Sequence, residues 1–216
     1  MDMQFVNFSR SSLIDYTVRQ ISHFFPDGKD NVRHRLEQSF ADAMNRVRTC
    51  INSVRCWREN EFDYLHSSQY CIYLYFLSNT IWKNSGDIEV CTKLFLLNKA
   101  LNGIDCFYEV ELPEKFFIGH SVGIVLAKAT YSDYFVLYQN STVGKNHGVA
   151  PTIGQGVVMY PSTAIIGRCS VGENTLLSQG VSVLNQDTPG NTAVFQGVDG
   201  LIFKAIGRNV LQDIFR

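Results

Sequence analysis

Hydrophobic residues in the first hundred positions recur with the spacing of α-helices. Val32, Leu36 and Phe40 begin a series that continues along one face of a segment from about residue 29 to residue 51. Short breaks of glycine and polar residues separate this segment from its neighbours, and Ser11 and Ser12 are candidate N-caps of a first helix. The pattern therefore predicts four helices, at about residues 11–24, 29–51, 62–84 and 88–102.

A different period begins after Gly103. Six apolar residues stand at intervals of six: Ile153, Met159, Ile165, Val171, Leu177 and Val183. Neither the 3.6-residue period of a helix nor the alternation of a hairpin explains a repeat of six, whereas a parallel β-helix with three flat faces per coil does. These side chains are predicted to fill the interior of about four or five stacked coils between residues 112 and 197.

A weaker run with the same spacing precedes the first: Ile118, Ile124, Thr130, Val136 and Thr142. Thr142 and Ile153 are eleven positions apart, which is one repeat plus five residues, and this predicts an extruded loop around residues 144–150. The predicted fold class is α+β. An α-helical domain (residues 1–103) is followed by a β-helix domain with a C-terminal tail (residues 104–216).

Composition and charge narrow the function classes. The formal net charge is −1, and no block of basic residues indicates a nucleic-acid-binding surface. No segment has the apolar length of a membrane span, and the first residues do not resemble a secretory signal. The six cysteines lack the spacing of a zinc site or a disulfide framework. We therefore expect a soluble cytoplasmic protein.

Several motifs in the second half resemble those of serine acetyltransferases, which are hexapeptide-repeat acyltransferases. They are Ile104-Asp105, Gly119-His120-Ser121-Val122-Gly123-Ile124-Val125, Gln139-Asn140-Ser141-Thr142-Val143-Gly144 and His147-Gly148-Val149-Ala150-Pro151-Thr152-Ile153-Gly154. Before residue 103 the resemblance is one of architecture only, a helical half that precedes the β-helix. It implies a left-handed β-helix that forms a homotrimer, or a dimer of such trimers, with acetyl-CoA bound between neighbouring subunits.

The resemblance also implies the roles of particular residues. His120 corresponds to the catalytic histidine, Asp105 to the aspartate that pairs with it, and His147 to a second active-site histidine on the loop. Each has a plainer interpretation: a packed or turn histidine, a turn-capping aspartate, and an exposed loop histidine.

Contacts with acetyl-CoA are implied for a further set of residues. Gly144 corresponds to a glycine beside the thioester, and Lys145, Ala164 and Ser182 are candidate contacts of the CoA moiety. Lys145 is alternatively a solvated lysine. No metal is implied, because His120 and His147 are the only histidines of the second half and a zinc site of this fold needs a third ligand.

Two candidate acceptor-binding positions depart from the family. Gly119 and Asn146 stand where serine acetyltransferases carry an aspartate and an arginine that hold the charged ends of serine. Each such charge-assisted contact contributes about 1.5–3 kcal/mol. We therefore predict that the acceptor is a hydroxyl-bearing small molecule or glycan, and specifically a sugar of a surface polysaccharide. Serine O-acetylation and a non-catalytic β-helix scaffold are the alternatives.

The chemistry of these residue types fits acetyl transfer. An imidazole with its ordinary pKa near 6.5 is suited to remove the proton of an alcohol, and a carboxylate on its other nitrogen fixes the tautomer. A glycine such as Gly144 lets main-chain N–H groups approach an oxyanion. Four aromatic residues near this segment, Tyr131, Tyr134, Phe135 and Tyr138, could stack on a sugar ring, although packing is the simpler interpretation.

Overall fold

The computed structural model describes residues 3–29, 31–207 and 209–216. Within them, four long helices come first: α1 (Arg10–Phe24), α2 (Val32–Ser53), α3 (Ser67–Ser85) and α4 (Ile88–Asn102). The predicted series of helices is confirmed, and the bounds of α4 match the prediction. None of the described helices is long and apolar enough to cross a membrane.

Helix α3 is the centre of the helical region. Every side chain from Ser68 to Ile81 is buried, as expected for a helix that is covered on all sides. The predicted apolar face of α2 packs against it, and α4 covers another side. Gly86 and Gly103 end α3 and α4 in the left-handed conformation, with φ of 63° and 66°.

The predicted starts of α1, α2 and α3 differ from those in the structure, and α2 begins at Val32, three residues later than predicted. The N-cap of α1 is Ser9, whose side chain accepts a hydrogen bond from the main-chain N–H of Ser12. Helix α3 begins five residues later than predicted, because β2 (Glu61–Phe62) pairs in parallel with β1 (Gln4–Phe5). A partner 57 positions away along the chain therefore determines the conformation of residues 61–62.

A parallel β-helix follows α4. Its strands are β3 (Asp105–Cys106), β4 (Phe116–Ile118), β5 (Val125–Leu126), β6 (Thr130–Tyr131), β7 (Phe135–Leu137), β8 (Thr142–Gly144), β9 (Thr152–Ile153), β10 (Val158–Met159), β11 (Ala164–Ile166), β12 (Ser170–Val171), β13 (Leu176–Leu177), β14 (Ser182–Leu184), β15 (Thr192–Gln196) and β16 (Leu201–Ala205). They form a six-stranded sheet (β16-β15-β13-β10-β7-β4), a five-stranded sheet (β14-β11-β8-β5-β3) and a three-stranded sheet (β12-β9-β6). Helices followed by a parallel β-helix are the predicted fold class.

The interior of the β-helix follows the six-residue repeat. All six residues of the strict repeat, from Ile153 to Val183, are at most 2% exposed. In the weaker run the predicted register holds at Ile118, which pairs with Leu137, and fails from Ile124 onward. At Thr130, Val136 and Thr142 it is wrong by one residue. Leu137 pairs with Met159 and Val143 pairs with Ile165, so Leu137 and Val143 occupy the interior positions. The loop between β8 and β9 accordingly adds four residues to the repeat.

The last coil ends in a change of strand direction. β15 continues the six-stranded sheet in parallel with β13, whereas β16 turns back and pairs with β15 in antiparallel register. β16 is therefore the edge strand of that sheet.

The C-terminal segment (residues 209–216) connects the β-helix to the helical region. It contains a short helix, α5 (Leu211–Ile214), and the buried Phe215 ring lies edge-on to Tyr134, 5.2 Å away. The Arg216 guanidinium donates to main-chain carbonyls just beyond α2, including those of Val54 and Trp57 at 2.6 Å. This segment fixes the chain that leaves α2 against the first coils.

Candidate active site

One outward face of the β-helix carries several of the predicted site residues. On the five-stranded sheet, strand pairing forms a single column of outward side chains: Asp105, Val125, Thr142, Ala164 and Ser182. A second column beside it contains Gly144, Ile166 and Leu184. We call these two columns the open face. At about 4.8 Å per strand, the column from Asp105 to Ser182 is about 19 Å long.

The open face carries small or apolar side chains and is uncharged except at its first strand. Val125 and Leu184 are 43% and 55% exposed, and the column between Asp105 and Ser182 contains only neutral side chains. Gly144 has no side chain at the end of the second column, and a Cβ built there would touch the Ile166 side chain at 3.4 Å. The structure therefore brings together three of the residues predicted to contact acetyl-CoA: Gly144, Ala164 and Ser182.

His120 lies in the turn that leads from β4 into β5. Three contacts hold this turn against the ends of the helices. The Ser121 hydroxyl donates to the Asn102 carbonyl at 2.7 Å, the Gly123 N–H to the Gly103 carbonyl at 2.9 Å, and the Ser68 hydroxyl to the Gly119 carbonyl at 3.3 Å. His120 itself is exposed. Its imidazole makes no hydrogen bond within the described part of the chain.

Asp105 lies beside the segment that follows this turn, and its carboxylate is paired with a lysine rather than with His120. The Asp105 N–H donates to the Ile124 carbonyl at 2.8 Å, so the two segments are neighbours. The carboxylate Oδ2 is 2.6 Å from the Nζ atom of Lys99, in the last turn of α4. Among residues 3–29, 31–207 and 209–216, no hydrogen bond joins Asp105 to His120.

Lys99 was missed by sequence reasoning. A lysine in the last turn of a helix is common, because it interacts favourably with the free carbonyls there, and the sequence pattern gives it no further meaning. Only the reversal of the chain at Gly103 brings its ammonium group back to residue 105.

His147 lies at the tip of the extruded loop. Asn146 and Val149 exchange main-chain hydrogen bonds of 2.9 and 3.0 Å across a two-residue turn. His147 and Gly148, with φ of 47° and 80°, have the left-handed conformation of a type I′ turn. The imidazole is exposed, and Lys145 is exposed beside it.

The two candidate histidines lie on opposite sides of the open face. The His120 turn enters the five-stranded sheet at β5, whereas the loop with His147 leaves it after β8. A single chain therefore does not bring His120 and His147 together.

Gly119 has no room for a side chain. A Cβ built there would be 2.6 Å from Cε1 of Tyr138, whose ring covers the glycine. The Tyr138 ring also stacks on Tyr160, with centroids 5.6 Å apart and planes inclined by 8°. Both rings are half-buried, and burial raises the pKa of the Tyr138 phenol, so its hydroxyl stays protonated near neutral pH.

The other three aromatic candidates are not at the site. Tyr131 and Phe135 are buried in the core, and Tyr134 packs against Phe215. In the described residues, no group of three or more histidine, cysteine, aspartate or glutamate side chains could hold a metal ion. All six cysteines are free thiols, and only Cys56 is exposed.

Comparison with known proteins gives one consistent group of relatives, although no family model matches the sequence. The serine acetyltransferase of Synechococcus elongatus is 30% identical over 122 residues, which are 53% of this chain and 48% of that protein. The structure of Vibrio cholerae serine acetyltransferase superposes with a TM-score of 0.68 at 19% identity, covering 83% of this chain and 74% of that one. A serine acetyltransferase solved in complex with CoA gives a TM-score of 0.65 at 17% identity, covering 80% of this chain and 75% of that one.

These comparisons support the fold and a relationship to serine acetyltransferases. The chain spans about half the length of the Synechococcus relative. The structural neighbours share the order of helices followed by a parallel β-solenoid built from hexapeptide repeats. None of the relatives named above is a polysaccharide-modifying enzyme.

Proposed function

We propose that this protein is an acetyl-CoA-dependent O-acetyltransferase that acetylates the hydroxyl of L-serine, with His120 as the general base. The observation that carries the proposal is the open face, a neutral strip about 19 Å long that runs to Asp105 and the exposed His120 turn. Such a strip suits the extended, largely uncharged arm of an acyl-CoA. Relatives named as serine acetyltransferases, one of them solved with CoA, support the donor and the acceptor.

In the proposed reaction, His120 accepts the proton of the acceptor hydroxyl while its oxygen attacks the thioester carbonyl. The tetrahedral intermediate then expels the CoA sulfur as the C–S bond breaks, and the imidazolium returns its proton to that thiolate. An acetyl ester and free CoA are the products. Asp105 would orient the imidazole and stabilise its protonated form.

The complete site requires a second copy of the chain. In a cyclic trimer, the His120 side of one open face would meet the loop with Gly144 and His147 of the neighbouring copy. Main-chain N–H groups near Gly144 would then reach the oxyanion from across the interface. The exposed apolar side chains of Val122 and Leu184 on and beside this face support such a contact.

A sugar hydroxyl is the second candidate acceptor, and the surroundings of Gly119 favour it. Neither Gly119 nor Asn146 offers a charge to bind the ends of a free amino acid, and the Tyr138 ring fills the space beside Gly119. A half-exposed tyrosine stack next to the base gives an apolar ring face on which a pyranose could lie. No hydrogen bond in the described chain occupies the Tyr138 or Tyr160 hydroxyl.

Release of free thiol from acetyl-CoA tests the proposal. The purified protein would be offered L-serine and, separately, UDP-N-acetylglucosamine. Turnover with serine that falls about 10²–10⁴-fold in kcat/KM in His120→Ala supports the proposal. His34→Ala, which removes an exposed imidazole on α2, is the matched control and leaves kcat/KM unchanged.

Two other outcomes contradict parts of the proposal. Turnover with the sugar alone would replace serine as the acceptor, and Tyr138→Ala should then raise the KM for the sugar. No thiol release with either acceptor, together with no heat of CoA binding in calorimetry, would favour the non-catalytic scaffold.

A further inference from the structure

Lys99 and Asp105 form an ion pair between the helical region and the first strand of the β-helix. Lys99 lies in the last turn of α4, and Asp105 in β3, just after the helix-ending Gly103. The two side chains are 51% and 38% exposed, with 2.6 Å between Nζ and Oδ2. Within the described chain, Asp105 is the one carboxylate that Lys99 contacts.

The ion pair with Lys99 uses only one of the two carboxylate oxygens of Asp105. Oδ2 accepts from Lys99, and Oδ1 makes no side-chain hydrogen bond in the described residues. The His120 turn is packed directly on this segment through Gly103 and Asp105. The carboxylate that the proposed function pairs with His120 is thus already held by a permanent cation, on the segment against which the His120 turn packs.

Few other titratable or charged groups surround Asp105 in the described part of the chain. Cys106 follows Asp105 in β3, but its thiol points inward and burial raises its pKa well above the ordinary value. From α3, Ser68 touches Gly119, and His66 at the N-cap packs its ring edge-on against Trp57. The neighbouring exposed residues of the turn and of β5, Val122 and Val125, carry no charge. Among the residues that the structure describes, Lys99 is therefore the one cationic side chain that contacts Asp105.

We propose that Lys99 is a positioning residue that sets the proton affinity of His120 through Asp105. This inference rests on the proposed function, because it takes Asp105 and His120 as the acid–base pair. A lysine cation partly neutralises the carboxylate, so the carboxylate stabilises the imidazolium less, and His120 stays neutral and ready to accept a proton at lower pH. The helical region thereby influences the proton affinity of His120 through Lys99.

A titration of His120 by NMR tests this without relying on turnover. Histidines would be labelled with ¹³C at Cε1, and the His120 signal identified by its loss in His120→Gln. In Lys99→Met the midpoint of the His120 titration should rise by about 0.5 pH unit or more, because the carboxylate is no longer neutralised and only solvent screens it. In Asp105→Asn the midpoint should fall.

The double variant shows whether Lys99 acts through Asp105. With Asp105→Asn in place, Lys99→Met should move the midpoint by less than half as much as it does alone. Lys99→Arg, which keeps the cation, should leave the wild-type midpoint in place. Lys29→Met, which removes a lysine from an equally exposed ion pair with Glu89, is the matched control and should not shift His120.

An unchanged midpoint in Lys99→Met, or an equal shift with and without Asp105, would overturn the inference. The thiol-release assay separates this from failure of the proposed function. If no acetyl transfer occurs but the midpoint shifts as stated, only the proposed function fails. If transfer depends on His120 but the midpoint does not move, only the role of Lys99 fails.

Discussion

Gly119 shows how one residue without a side chain shapes the neighbourhood of the candidate base. The Tyr138 ring covers Gly119 so closely that a Cβ built on the glycine would be 2.6 Å from Cε1 of the ring. Position 119 directly precedes His120, so any group placed there would displace either the ring or the turn. The Tyr138 ring can therefore keep its position only if residue 119 is a glycine.

This pairing predicts the effect of adding a methyl group. Gly119→Ala should lower the free energy of unfolding by about 1–3 kcal/mol, because the Tyr138 ring must move out of its stack on Tyr160. Urea unfolding followed by circular dichroism measures this. In a Tyr138→Ala background the same change should cost less than half as much. An equal cost in both backgrounds would mean that the ring is not what excludes the methyl group.

The family resemblance singled out His120 and Asp105, and the structure places Asp105 in β3, beside the segment that follows the His120 turn. No sequence pattern indicated the ion pair between Asp105 and Lys99. The position of Lys99 depends on the left-handed turn at Gly103 and on how α4 meets β3, and neither leaves a periodic signal. Contacts made by a single long side chain across two elements are not encoded in hydrophobic spacing.

At the scale of elements, the strict repeat predicted the interior position of six strands correctly, whereas the weaker run did so only at Ile118. From Ile153 to Val183 each six-residue unit has one clear interior position. Before the loop, Val136 and Leu137 are both apolar and both buried, so the pattern alone cannot tell which one faces inward. A strand reverses its faces with a shift of one residue, so such a shift reverses the assignments at Thr130, Val136 and Thr142.

Two adjacent isoleucines in β11 test the register. Ile165 points into the coil and is fully buried, whereas Ile166 lies on the open face. Ile165→Ala should lower the free energy of unfolding by about 2–5 kcal/mol, the usual range for a buried isoleucine. Ile166→Ala, the same substitution on the other face, should cost less than about 1 kcal/mol in the monomer. Comparable losses measured by urea unfolding would contradict the register.

At the scale of the whole molecule, the C-terminal segment joins the two regions. Phe215 packs between Tyr134 of the β-helix and the chain after α2, where it forms a bridge with Val54. Arg216 adds hydrogen bonds to the same stretch of main chain. We expect the helices and the first coils to unfold in one transition, because this contact makes each depend on the other.

Removing the buried ring should weaken that dependence. Phe215→Ala should lower the free energy of unfolding by about 3–5 kcal/mol. Phe24→Ala, a truncation at a ring that is 44% exposed, is the control and should cost much less. Fluorescence of Trp57, which lies beside the segment, and far-ultraviolet circular dichroism should report coincident transitions in the unsubstituted protein. Separate transitions there would mean that the two regions are stable independently.

The reversed strand β16 has a consequence for molecules in solution. A stack of parallel coils ends in a row of unpaired main-chain groups, which another molecule could extend end to end into a filament. In the six-stranded sheet that position is filled by β16, which runs against the direction of every coil and so offers the wrong polarity for continuing them. Lys204 adds a charge to this strand. β16 therefore opposes end-to-end extension of the six-stranded sheet at this end of the stack.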